Sequence, residues 1–143
     1  MRILIVEDTA NHMANAVQAV RKAAREKGIS IEILLATTAL DAENEMGYEE
    51  ALVDGVISDV YMPLNGTDDR WSHSDCPCGL NVVARARKLH IPVAFCTDGS
   101  HHGKKIQWLF SLCQEGALEL PKLVGGKDWT RALEIILEEI AKK

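Results

Sequence analysis

The sequence predicts an α/β domain built on a parallel sheet with helices on both faces. Three observations predict it. Strand-like and helix-like segments alternate along the 143 residues, and strict alternation implies parallel strands joined by crossover helices. The strand-like runs are continuous rather than alternating, as at Ile3-Leu4-Ile5-Val6, which suits strands buried on both faces. The segments between them repeat apolar residues at spacings of three and four, which gathers those residues on one helical face.

The elements follow in order. After the first strand, Thr9 or Asn11 can cap a helix whose Met13, Val17, Val20 and Ala24 share a face, and Gly28 ends it. Ile29 to Leu35 is the second strand. Leu40 to Leu52 fits a shorter helix with Asp41 near its start. Val56 to Val60 is the third strand, and Leu80 to Leu89 the next helix, with Val83 and Ala84 inward. Pro92 stops any helix there, so Val93 to Thr97 is the fourth strand. Ser100 can cap a helix bearing Ile106, Leu109, Phe110 and Cys113 at i, i+3, i+4 and i+7, and Gly116 closes it. Ala117 to Leu120 reads as the fifth strand. Asp128 caps a last helix striped by Trp129, Leu133, Ile136, Leu137 and Ile140. Cys96 and Cys113 fall on apolar faces and read as packing residues. Trp129 reads as the last helix's anchor, and Trp108 falls on a polar side.

Composition narrows the function. Hydrophobic residues make up 47% and charged residues 26% of the chain, an ordinary globular balance, and the length suits one domain over residues 1–143. The net charge of -5 argues against a nucleic-acid surface. No apolar run approaches the roughly 20 residues of a membrane span. The first apolar run is too short for a signal peptide and ends in Glu7-Asp8. The expectation is a stand-alone cytoplasmic domain with reduced cysteines.

Ligands of an open parallel sheet bind beyond the carboxyl ends of its strands. The first strand ends in Glu7-Asp8, the third in Asp59, the fourth in Thr97-Asp98, and the fifth, as read here, in Pro121-Lys122. Three acids, a hydroxyl and an amine thus converge on one rim. Such acids suit a hard divalent cation such as Mg²⁺, and the hydroxyl and ammonium suit phosphoryl oxygens. His12, close to the first pair of acids, reads as a solvated helix-start residue.

These segments resemble the receiver domains of two-component response regulators. "ILIVEDT" is similar to the first strand with its acidic pair, "GVISDVYMP" to the phosphoacceptor strand, "VAFCTD" to the strand ending in the switch threonine, and "EGALELPK" to the strand carrying the lysine. The resemblance implies a flavodoxin-like (βα)5 three-layer sandwich with strand order 2-1-3-4-5. It implies that Asp59 accepts a phosphoryl group from a sensor histidine kinase or phosphotransfer protein. Glu7, Asp8, Asp59 and the backbone carbonyl of Tyr61 would hold Mg²⁺, and Thr97 and Lys122 would contact the phosphoryl oxygens, with Lys127 as the fallback. A domain of this kind signals through protein contacts rather than as an enzyme. The position of Tyr61, two residues past the acceptor, and of Gly99, two past the threonine, implies slow self-dephosphorylation. The chain departs from the pattern in the order Pro121-Lys122, in Asp98 after the threonine, and in having Glu119 and Leu120 where an aromatic switch residue usually stands. The first two departures favour a second reading, a pseudo-receiver that binds a partner without phosphoryl chemistry.

One stretch falls outside the resemblance. From about residue 64 to 78, after Pro63, lies a connection far longer than the roughly 2–6 residues usual between strand and helix. It leaves the sheet at the acidic rim, so it reads as a lid or docking loop with Trp71 as its anchor. It also carries His73, Cys76 and Cys78, which with His101 or His102 would make a four-ligand zinc site. A metal-binding module using this loop is the third reading.

Overall fold

The computed structural model describes residues 1–66, 76–98 and 121–143. Five parallel strands form one sheet: β1 (Arg2–Val6), β2 (Glu32–Ala36), β3 (Gly55–Ser58), β4 (Val93–Cys96) and β5 (Leu123–Val124). Their spatial order is β2-β1-β3-β4-β5. This is the flavodoxin-like order, with a reversal between β1 and β3. Four helices lie among the described residues: α1 (Ala10–Glu26), α2 (Ala39–Met46), α3 (Gly79–Lys88) and α4 (Trp129–Ala141).

Burial follows from the continuous apolar runs. Side chains alternate across a strand, so Ile3 and Ile5 of β1 pack with α1 and α4 on one face. Leu4 and Val6 pack with α2 and α3 on the other. Ile3 to Val6 are therefore covered on both faces, and the molecule has three layers.

Helix ends follow local chemistry. Thr38 accepts from the Asp41 amide at 3.1 Å and caps α2. Asp128 accepts from the Arg131 amide at 3.0 Å and caps α4. Thr9 occupies the cap position of α1 without a side-chain bond, and Asn11 lies inside that helix.

Two elements differ from their sequence reading. The helix expected to Leu52 ends at Met46, because Gly47 adopts φ +91. A Cβ there would stand 2.3 Å from the Glu50 carbonyl oxygen, so only glycine fits the turn. The fifth strand is Leu123–Val124, in register with Phe95 and Cys96, and so begins after Pro121-Lys122 rather than ending there. The expected strand at 117–120, with Glu119 and Leu120, and the helix bearing Ile106, Trp108, Phe110 and Cys113 lie outside the described residues. So do Gly99, Ser100 and loop residues 67–75, which include Trp71 and His73. No helix among the described residues is long and apolar enough to cross a membrane.

Candidate functional site

The carboxyl ends of β1, β3, β4 and β5 build one acidic site. β1 and β3 are paired in register, and the ladder continues past them: the Asp59 amide donates to the Val6 carbonyl at 3.0 Å. This aligns Glu7 and Asp8 with Asp59. One carboxylate oxygen from each of the three lies within 4.8 Å of the others. Glu7 is 1% exposed and Asp59 4%, while Asp8 sits closer to solvent. Beside Glu7 and Asp8 an open groove of about 530 Å³ runs between Met13, Val17 and Leu35.

Each buried acid is held by donors. Glu7 Oε1 accepts from the Thr9 amide at 3.1 Å, next to the start of α1. His12 Nδ1 stands 3.7 Å from the same oxygen, so His12 faces the acid. Asp59 Oδ1 accepts from the Val60 amide at 2.6 Å. The Ser58 hydroxyl donates to the Asp59 carbonyl at 2.7 Å.

The ammonium of the site belongs to Lys127. Its Nζ lies 2.6 Å from Asp59 Oδ2 and also donates to Glu7 Oε2, and only 11% of the side chain is exposed. Lys122 is elsewhere: 53% exposed, it pairs with Glu138 at 3.5 Å and Glu139 at 4.0 Å near the end of α4. The reason is topological. Lys122 precedes β5 and Lys127 follows it, and only residues that follow a strand reach the rim at the carboxyl ends. A tight turn returns the chain to the site. Gly126 and Lys127 have φ +63 and +52, and the Lys127 amide donates to the Thr97 carbonyl at 3.2 Å. A left-handed lysine carries backbone strain of about 1–2 kcal/mol, which the two ion pairs offset. Its Nζ also stands 5.2 Å from the centre of the Trp129 ring, within cation–π range.

Electrostatics bind these groups as a unit. Burial raises the Glu7 carboxyl above its ordinary value, against the lowering influence of Lys127. Burial alone would lower the Lys127 ammonium, but Asp59 and Glu7 outweigh it and hold the group above its ordinary value.

Thr97 is 1% exposed, and its hydroxyl has no hydrogen-bond partner among the described residues. Asp98 follows it, half-buried. Tyr61 is buried and packs with Val60, Val83 and Phe95. Cys96 lies beneath the site, and burial pushes its thiol up to about 12, so it stays protonated. Of the residues considered for zinc, His73, His101 and His102 lie outside the described residues. Cys78 is buried at the start of α3, and Cys76 is half-buried beside it.

The resemblance puts Lys122 ahead of Lys127 because Ala117 to Leu120 reads as the fifth strand, whereas β5 is Leu123–Val124. The break at Gly125-Gly126 was the available signal. Ser58 and Gly79 gave none.

No family model and no curated protein matches this chain. Among solved structures it is similar to a de novo designed Rossmann 2x3 fold protein determined by solution NMR, at 12% identity and a TM-score of 0.55, covering 96% of this chain and 90% of that one. At that identity the likeness shows the α/β fold alone.

Proposed function

We propose that this chain is a receiver-type signalling domain that accepts a phosphoryl group on Asp59 from a sensor histidine kinase or phosphotransfer protein of the cytoplasm. One observation carries the reading: Glu7, Asp8 and Asp59 meet at one rim with the Lys127 ammonium against two of them. An Asp59 oxygen forms its bond to phosphorus as the bond from phosphorus to the donor imidazole nitrogen breaks, and that nitrogen keeps the electron pair. Lys127 offsets charge on one phosphoryl oxygen. The unengaged Thr97 hydroxyl donates to another, so the site's contribution is positioning and electrostatics.

The donor set fits Mg²⁺, since carboxylates are the hard oxygen ligands it prefers and Glu7, Asp8 and Asp59 each offer one. With the Tyr61 carbonyl they are the residues that would hold it, and the bound ion would supply positive charge beside the transferred group.

The test is exposure to acetyl phosphate with Mg²⁺, followed by intact mass. The wild type gains one phosphate and Asp59→Asn gains none. Phosphate that persists on Asp59→Asn refutes the assignment.

A second reading, the phosphorylation-independent pseudo-receiver, is favoured by one feature. Lys127 already pairs with both Glu7 and Asp59 from within the chain, so one positive charge stands beside the acids without a cation. A wild type that takes no phosphate from acetyl phosphate or any kinase selects this reading.

A further inference from the structure

Away from the acidic cluster, the chain returns from its insertion through Cys76-Pro77-Cys78. Met62, three residues past Asp59, donates its amide to the Cys76 carbonyl at 2.9 Å and forms a parallel bridge with Pro77. Cys78 then caps α3 with helical dihedrals, φ -70 and ψ -9. Both cysteines pack into the same apolar cluster as Met62 and Val82, Cys78 buried and Cys76 half-buried. Pro77 fixes its own φ, so the two thiols are held as neighbours. Cα atoms two residues apart across a bend fall in the range of about 4.4–6.8 Å that a disulfide spans.

We propose that Cys76 and Cys78 form a reversible thiol–disulfide pair, oxidised by a small-molecule disulfide, whose closure shifts the start of α3 against the end of β3. The partly exposed Cys76 is the entry point. Its thiolate attacks one sulfur of the small disulfide, forming a mixed disulfide and releasing one thiol. The Cys78 sulfur then attacks Cys76, the bond to the small thiol breaks, and Cys78 gives its proton to the departing sulfur. The protein loses two hydrogens and two electrons, and the small disulfide becomes two thiols. In the reduced state burial and the adjacent Cys76 thiol push Cys78 up to about 11, so Cys78 stays protonated until Cys76 reacts. A ring closed over so few residues is strained, and strained disulfides are the labile, regulatory ones.

The coupling runs through Gly79, whose amide donates to the Val60 carbonyl at 3.0 Å. A Cβ on Gly79 would lie 2.3 Å from the Asp59 carbonyl oxygen. The start of α3 therefore sits directly against the backbone of β3, and movement at Cys78 reaches the Gly79 hydrogen bond to Val60. The inference uses neither phosphate nor Mg²⁺ and stands apart from the function proposed above.

The experiment treats the full chain with glutathione disulfide and digests it with trypsin, which yields one peptide, Trp71 to Arg85, carrying both cysteines. The expected peptide is lighter by two hydrogens and resists alkylation, and dithiothreitol restores both thiols. Hydrogen exchange at the Met62 and Gly79 amides is about tenfold faster in the oxidised protein. Cys78→Ser stops at a glutathione adduct on Cys76. A lasting adduct in the wild type, two alkylatable thiols after oxidation, or stoichiometric zinc on both sulfurs overturns the pair. Unchanged exchange at Met62 and Gly79 overturns the coupling.

Discussion

Lys127 Nζ lies 2.6 Å from Asp59 Oδ2, a contact that spans 68 positions of sequence. The same ammonium donates to Glu7, so one lysine ties the ends of β1 and β3 to the turn after β5. Three strands that are separate in sequence thereby share a single counter-ion. The charge that holds the acids together also occupies the space beside them, which makes Lys127 both a structural tie and a competitor for any cation the acids bind.

Lys127→Met separates these two effects. Two buried carboxylates lose their partner, and removing one side of a buried pair costs about 3–5 kcal/mol. Urea denaturation without divalent cations should show that loss. Millimolar Mg²⁺ should recover much of it, and titration calorimetry should show tighter Mg²⁺ binding than in the wild type, by roughly tenfold for each 1.4 kcal/mol of relieved competition. A variant that binds Mg²⁺ no better than the wild type rules out competition by Lys127.

The shifted pKa values set a pH dependence. Lys127 has a folded pKa above its unfolded value of 10.5. Its contribution is therefore complete below pH 10.5 and disappears as pH rises through the folded value. Glu7 has the same sense in a lower pH window, because its folded pKa also lies above its unfolded value of 4.5. Its ionised form opposes folding, and that opposition fades as pH falls through the folded value toward 4.5. Wild type should therefore gain stability relative to Glu7→Gln between pH 7 and pH 4.5, measured by denaturation at both. A gap that is constant with pH contradicts the raised Glu7.

Thr97→Val tests the unengaged hydroxyl. A buried polar group without a partner costs about 1–3 kcal/mol, and valine matches the shape of threonine without the hydroxyl. The variant should be more stable by about 1 kcal/mol in thermal or chemical denaturation. It should also hold phosphate on Asp59 less well, seen as a lower yield from acetyl phosphate. Lower stability would mean that the hydroxyl is satisfied.

Gly79→Ala tests the seat of α3. Its Cβ would meet the Asp59 and Val60 carbonyl oxygens at 2.3 and 2.8 Å, both backbone atoms. Overpacking of this kind costs about 1–3 kcal/mol. Gly66→Ala, with nothing within 4 Å of the added carbon, should change stability by under about 0.5 kcal/mol.

The fold was legible because its strands are buried on both faces. Ile3 to Val6 and Val56 to Ile57 have no polar side to mislead the reading, and their position fixes where Glu7, Asp8 and Asp59 must emerge. The short elements were not legible. Leu123-Val124 is too brief to show a period, and its identity as β5 rests on pairing with Phe95 and Cys96, a contact no local pattern announces. Reading the strand early moved the rim lysine from Lys127 to Lys122. Helix α2 was overextended because the geometry of Gly47 is set by the Glu50 carbonyl that returns against it.

The segment after Pro63 leaves and re-enters the fold at points that touch. Ala39 and Leu40 donate their amides to the Pro63 and Leu64 carbonyls at 3.1 and 3.0 Å, which fixes the departure, and Met62 against Cys76 and Pro77 fixes the return. A segment with its ends already joined adds little to the cost of closing the chain, since doubling a loop's length adds only about 0.6 kcal/mol. Exchanging residues 67–75 for a stretch of different length should therefore leave the register of the sheet unchanged. The point at which this segment leaves and rejoins the chain, a few residues past Asp59, is thus separable from the fold that carries it.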